Sequence, residues 1–183
     1  MPKGEEGFTV WIVGLASAGK STVANLLEER LTERGYSPVL MEPTTGKELR
    51  PRVMPDLGFD KDGKNEITRR LGYVAGLVTK GGGVAIVPWI APEAWARDEV
   101  RKEIGRFVEV YVECPMEVLE QRDDRGLYAS AKETHLGVPG VYDPWEPPEN
   151  PEVRVFSTKQ TPEEEVEAVM AKLEELGYVK SSA

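Results

Sequence analysis

Three short stretches of the chain are apolar at nearly every position: Phe8–Val13, Val84–Pro88 and Phe107–Val112. Runs of this length without polar alternation predict strands buried on both faces, as in a parallel sheet covered by helices. Between them the spacing changes. In Lys20–Arg34, Val23, Leu26, Leu27 and Leu31 recur at helical intervals and Gly35 stops the pattern. Asn65–Lys80 repeats it with Ile67, Leu71, Val74 and Leu77, up to the glycines at 81–83, and Ala94–Ile104 predicts a further helix. Thr161–Leu176 closes the series, with Thr161 and Glu164 spaced as a capping box and Gly177 at the end. Ser37–Met41 and Val153–Phe156 add two short strands, and Met116–Arg122 a short helix.

Strand and helix alternate throughout, which predicts an α/β fold: three layers around a mostly parallel, five-stranded sheet. No internal repeat or linker divides residues 1–183, so a single domain is expected. Two stretches carry no clear period, Glu42–Gly63 and Asp123–Pro151, both rich in Pro, Gly and charge. They are too long for mere connectors, and loops of that size in compact domains tend to be functional. The second, about 123–151, is read as an irregular lid.

The first strand runs into Gly14-Leu15-Ala16-Ser17-Ala18-Gly19-Lys20-Ser21, which fits G-x-x-x-x-G-K-[ST]. Glycines let the backbone curl so that successive N–H groups face inward and cradle an anion, and the helix that follows adds its unpaired N–H groups. Gly14, Ala16, Ser17, Ala18, Gly19, Lys20, Ser21 and Thr22 are therefore the expected phosphate binders. Lys20 is placed to reach the β- and γ-phosphates, and the Ser21 hydroxyl suits Mg²⁺. A buried strand before and an amphipathic helix after give the motif its proper context, the P-loop NTPase fold. The third strand ends in Pro88-Trp89 rather than an acid, and no N-K-x-D base-reading motif occurs. Small size and two long segments suit a small-molecule kinase, in which lids keep water from the phosphoryl group.

Charge narrows the ligand. The 183 residues carry a formal net charge of −9, which argues against broad nucleic-acid binding but not against a small phosphorylated ligand in a local basic pocket. No apolar run is long enough to span a bilayer, and the acidic start MPKGEEGF lacks the marks of a signal peptide, so a cytoplasmic location is expected. Cys114 is the sole cysteine and His135 the sole histidine, which excludes an internal disulfide and a Cys/His metal cluster; Cys114 reads as a small buried residue.

Several longer segments resemble adenylylsulfate kinases, which phosphorylate the 3′-hydroxyl of adenosine 5′-phosphosulfate (APS) with MgATP. The loop GLASAGKST is similar to that family's G-L-S-G-A-G-K-S-T, and DLGF at 56–59 to its D-L-G-F. RRLGYVAGL at 69–77 is similar to R-R-x-G-E-V-A-K-L, and YDPWEPPENPE at 142–152 to D-D-P-Y-E-x-P-x-x-P-E. The longest match is VEVYVECPMEVLEQRDDRGLY at 108–128. The resemblance implies that Arg122 and Arg125, with Tyr128 beyond them, open the lid and meet ATP, the alternative being pairs with Asp123 and Asp124. Phe59 and Arg69 are implied to face the acceptor, though of the neighbours Arg69 and Arg70 one must be solvated. It also implies a possible homodimer.

The departures cluster at the acceptor. Where the family has D-G-D-N-x-R this chain has MEPTTGKELR, leaving Glu42 as the carboxylate at the strand end. Glu42 is therefore the candidate general base or magnesium neighbour, against the alternative of a solvated turn acid. The family's asparagine appears as Ile67, its I-S-P-Y-R as IAPEAW, and its lid K-G-F-T-G as LGVPG. Lys47 and Arg50, with Arg52, make the altered loop basic and are candidates to hold an anionic acceptor; the alternative is solvated loop charge. Trp89 and Trp95 flank the same strand end, where at least one is expected to form wall or core. Three functions stay open: an APS kinase, a kinase of the same family with another hydroxylated acceptor, and a catalytically silent nucleotide-binding regulator. ATP and Mg²⁺ are the cofactors of the first two.

Overall fold

The computed structural model describes residues 6–43, 49–135 and 137–181, with the side chain of Arg50 outside that description. Strands β1 (Phe8–Val13), β2 (Pro38–Leu40), β3 (Val84–Pro88), β4 (Phe107–Glu113) and β5 (Val153–Phe156) form one sheet in the order β2-β3-β1-β4-β5. Every pairing is parallel, with Val10 opposite Ile86 on one side and Val108 on the other. A central β1 with neighbours on both edges explains its unbroken apolar run, since all six of its residues are buried.

Helices cover both faces. On one, α1 (Lys20–Glu33) and α7 (Pro162–Glu175) bury Val23, Leu27, Leu31, Val166, Val169 and Leu173 against Val10, Ile12, Val110 and Val112. On the other, α3 (Lys61–Lys80) and α4 (Ala94–Ile104) bury Ile67, Leu71, Ala75 and Val100 against Trp11, Val13, Ala85 and Val87. Alternate residues of β1 thus feed opposite cores, which is the period-2 geometry of a strand. The α7 capping box is formed: Thr161 Oγ1 accepts from the Glu164 N–H at 3.3 Å and Glu164 Oε2 from the Thr161 N–H at 2.8 Å.

Three elements differ from the periodicity reading. Helix α3 begins at Lys61, four residues before the apolar repeat shows, because the Asp60 carboxylate accepts from Gly63 N–H at 2.7 Å and caps an extra turn. A short helix α2 (Leu49–Val53) interrupts the first irregular stretch. Inside the second, α6 (Leu127–Thr134) follows α5 (Met116–Gln121). The carboxylate of Asp123 accepts from the N–H groups of Leu127 and Tyr128, both at 2.8 Å, so an upstream side chain starts α6 without an N-cap in the usual place. No helix among the described residues is long and apolar enough to cross a membrane.

Candidate active site

The loop from Gly14 to Ser21 joins β1 to α1 at the carboxyl end of the sheet. Gly14 has φ +151° and runs so close to β4 that a Cβ there would lie 2.6 Å from the Val112 carbonyl oxygen. Ser17 holds a left-handed φ of +61° without being glycine, a local strain of the kind stored at ligand loops. Ala18 is buried, Ala16 and Gly19 half-buried, and Ser17, Ser21 and Thr22 exposed. Lys20 folds back over the loop, its Nζ donating to the Leu15 carbonyl at 2.8 Å. Burial lowers the Lys20 ammonium from its ordinary 10.5 to about 8, with the nearby Glu42 carboxylate pulling the other way.

Glu42 follows β2, two strands away from the loop in the sheet, yet the Ser21 hydroxyl donates to its Oε2 at 2.6 Å. The phosphate loop and the end of β2, 21 residues apart in sequence, thus bring a hydroxyl and a carboxylate face to face beside a cationic lysine. That donor set is hard oxygen, suited to Mg²⁺.

Arg122, the residue that follows α5, donates from its guanidinium to the Ser157 hydroxyl at 3.1 Å and carbonyl at 3.0 Å, beyond β5. Arg125 is exposed on the following turn. Tyr128 on α6 is buried, and its hydroxyl donates to the Ala16 carbonyl at 2.8 Å, so α6 is pinned directly onto the phosphate loop. Burial pushes the Tyr128 phenol well above its ordinary value, which keeps it a donor.

The opposite wall is built by α3 and the ends of β3. Phe59 is 48 % exposed and lies tilted 6.5 Å from the Trp89 ring. Trp89 is itself core, its Nε1 donating to Thr68 Oγ1 at 2.9 Å. Trp95 is half exposed and donates to Glu93 at 2.5 Å. Beyond Trp89 the chain bends through Ala91, a buried residue at φ +39°, and the buried Arg97 secures the bend by donating to the Ala91 carbonyl at 2.6 Å and the Glu146 carbonyl at 2.7 Å. Arg97 also pairs with buried Glu109 at 3.0 Å.

The structure therefore brings together Lys20, Ser21 and Glu42, with Tyr128 of α6 held to the same loop. It places Arg69 on the outer side of α3, where Glu99 takes its Nε at 3.1 Å and Glu66 its Nη1 at 3.3 Å. Its neighbour Arg70 is engaged in a two-pronged pair with Asp56, at 2.6 and 2.8 Å. Lys47 lies outside the described residues, and Arg50 is described only as part of the α2 backbone. Ile67, in the family's asparagine position, is core. Sequence reasoning missed Lys64, 5 % exposed, and Arg97, 4 % exposed. Extending the α3 pattern back to Asp60 would have exposed Lys64, since 64, 67, 68 and 71 then share the inward face.

With this geometry in hand, comparison with known proteins gives one answer. The sequence model of the family described as Adenylylsulphate kinase matches residues 6–156. A probable adenylyl-sulfate kinase of Pyrococcus abyssi is 45 % identical over 175 residues, 95 % of this chain and 99 % of that protein. The adenylyl-sulfate kinase of Rippkaea orientalis is 42 % identical over 176 residues, 96 % of each. Among solved structures, the Mycobacterium tuberculosis APS kinase CysC in complex with AMPPNP and APS superposes with a TM-score of 0.84 at 35 % identity, covering 93 % of this chain and 99 % of that one.

Proposed function

This chain belongs to the adenylylsulphate kinase family, and on that premise we propose that it moves the γ-phosphoryl of MgATP to the 3′-hydroxyl of APS. The observation that carries the reading is the Ser21–Glu42 hydrogen bond at 2.6 Å beside Lys20, because it sets a metal-suited oxygen pair at the mouth of a phosphate loop. The backbone from Gly14 to Thr22 cradles the triphosphate, and Lys20 exchanges the Leu15 carbonyl for phosphate oxygens. Ser21 and Glu42 would hold Mg²⁺, which when bound neutralises charge shared by the β- and γ-phosphates. Glu42 is also the candidate to receive the acceptor's proton; a loose transition state asks more for positioning than for a strong base, so a glutamate suffices.

Arg122 and Arg125 supply lid cations for ATP, with Ser157 orienting the first. Phe59, backed by Trp89, offers the acceptor a flat apolar face. Lys47 and Arg50 stand for its anion, and Arg69 joins them only by leaving Glu66 and Glu99. The chain acts in this reading as one cytoplasmic kinase domain with 123–151 as its lid, and a homodimer is its expected assembly, to be checked by light scattering.

The test is direct. Purified protein with MgATP and APS should yield the 3′-phosphorylated product by mass spectrometry. Product from another hydroxylated anion but none from APS would reassign the acceptor, and tight ATP binding without transfer to any member of the panel would make the chain a nucleotide-binding regulator. Glu42→Gln should lower kcat by about 100-fold, in the range of a lost acid–base group, with ATP affinity nearly unchanged. A wild-type kcat in that variant ends the role given to Glu42.

A further inference from the structure

Lys64 sits one turn into α3 with its side chain buried, and its Nζ donates to the Gly137 carbonyl at 2.6 Å and to Asp143 Oδ2 at 2.5 Å. These partners are the two ends of a compact turn. Within it the Val138 carbonyl accepts from the N–H groups of Val141, Tyr142 and Asp143 at 3.0 to 3.2 Å, and Gly140 N–H donates to the Asp143 carbonyl at 3.0 Å. A Cβ on Gly137 would lie 2.5 Å from Asp143 Oδ1, so only glycine lets the carboxylate close onto the turn. The turn's far side rests on the donor loop: Val138 is buried in the same core as Ala18 and Tyr128, and Gly140 lies against the Leu15 side chain, 3.1 Å from where its own Cβ would stand. Leu15 is the residue whose carbonyl holds Lys20.

The near side leads to the acceptor wall. The Lys64 carbonyl accepts from Thr68 Oγ1 at 2.9 Å, Thr68 accepts from Trp89, and Trp89 backs Phe59. One buried ion pair thus bridges the wall that would face the acceptor and the loop that would hold the donor, through a turn that is rigid in itself. We propose that Lys64 and Asp143 are positioning residues: their clasp fixes the 137–143 turn across the cleft, setting the distance between donor and acceptor and shutting water out of the phosphoryl path. The proposal rests on the kinase reading above. Removing the cation from such a buried pair leaves a carboxylate uncompensated and drives the turn open, whereas arginine keeps the charge.

Lys64→Met, Asp143→Asn and Lys64→Arg separate the possibilities. In Lys64→Met the KM for APS should rise about tenfold, the scale of a small misplacement of reacting groups, and the share of ATP hydrolysed without transfer should rise with it. KM for ATP should stay within about twofold, since the cradle itself is untouched. Lys64→Arg should recover most of the loss. Amide hydrogen exchange at 137–143 should quicken in Lys64→Met and Asp143→Asn and return toward wild type in Lys64→Arg. Unchanged exchange in the first two variants overturns the clasp, as does an equal rise in both KM values. If Lys64→Met fails to fold, Asp143→Asn, nearly identical in shape, carries the same readouts. Should wild-type protein ignore APS while exchange at 137–143 still quickens in the variants, the clasp stands and the acceptor assignment falls.

Discussion

The proposed donor loop and acceptor wall meet at the carboxyl end of the sheet but are built by different means. The loop is local. Eight consecutive residues, a preceding strand and a following helix suffice to aim its N–H groups, and Lys20 and Ser21 are adjacent in sequence. The wall is assembled from distant pieces: Trp89 on Thr68, Lys64 on Asp143, Arg97 on Ala91 and Glu146. Its charges are mostly spent on one another, as in Arg70 with Asp56 and Arg69 with Glu66 and Glu99. A local site changes by losing one group, while a distributed one changes through its supports.

The sharpest way to break this contrast is at the loop. Lys20→Ala should lower transfer by about 1,000-fold or more, the scale expected when a main stabiliser of transition-state charge is removed, without unfolding the protein. Steady-state rates beside a thermal melt check both halves of that statement. Unchanged turnover would remove the donor site altogether.

At the wall, the support should matter more than any one exposed side chain. Arg97→Met strands Glu109, which is buried and left with Arg101 at 3.3 Å. The expected cost is about 3 kcal/mol of folding stability, the lower end for a broken buried pair because Arg101 remains. The Ala91 bend loses its clamp in the same variant, so acceptor KM should rise and ATP KM hold, as urea melts and initial rates would show. Equal changes in the two KM values would mean the halves are one unit.

The same division decides what was legible beforehand. The five strands, the sheet's parallel character and the phosphate loop follow from apolar runs, helical spacing and one motif, all of short range. Glu42 was singled out through the resemblance, at the place of the family's D-G-D-N-x-R, and the structure brings its carboxylate to the Ser21 hydroxyl. Helix α6 was not legible, since its cap comes from Asp123, outside the helix. Lys64 and Arg97 stayed hidden for a related reason: a charged residue reads as surface until its partners, 79 residues away in one case, are known. Arg69 shows the reverse, because a helix position that a resemblance points inward is held outward by two glutamates in the structure.

A smaller effect tests the donor side's own support. Glu165, in the first turn of α7, is 3 % exposed, and its Oε1 has no hydrogen-bond partner among the described residues. Burial raises its carboxyl from 4.5 to about 6, against the pull of Arg122. Between those values the folded state binds more protons than the unfolded one, so this group's contribution is full below 4.5 and lost as pH rises through 6. Glu165→Gln should therefore stabilise the protein by about 1–2 kcal/mol at pH 7. The gain should vanish near pH 4.5. Denaturant titrations at the two pH values measure it, and a destabilised variant at pH 7 would show that Arg122 needs this carboxylate for its placement.

The smallest expected effect separates the halves by pH. Since burial holds the free protein's Lys20 at about 8, its charge is complete near pH 7 and fades above 8. A triphosphate pairs with the charged form, so ATP affinity should hold to about pH 7 and drop about fourfold by pH 8.5, with bound nucleotide drawing a proton from solvent. For folding the sign reverses. Unfolded lysine keeps its proton to 10.5, so between about 8 and 10.5 the unfolded chain binds more protons and the free protein gains stability as pH rises. Calorimetry at pH 8.5 in two buffers of different ionisation enthalpy reads the proton directly. Lys20 belongs to the loop alone, so acceptor KM should show no break at this pH. A shared break would mean that the clasp between Lys64 and Asp143 transmits the state of the donor lysine to the far wall.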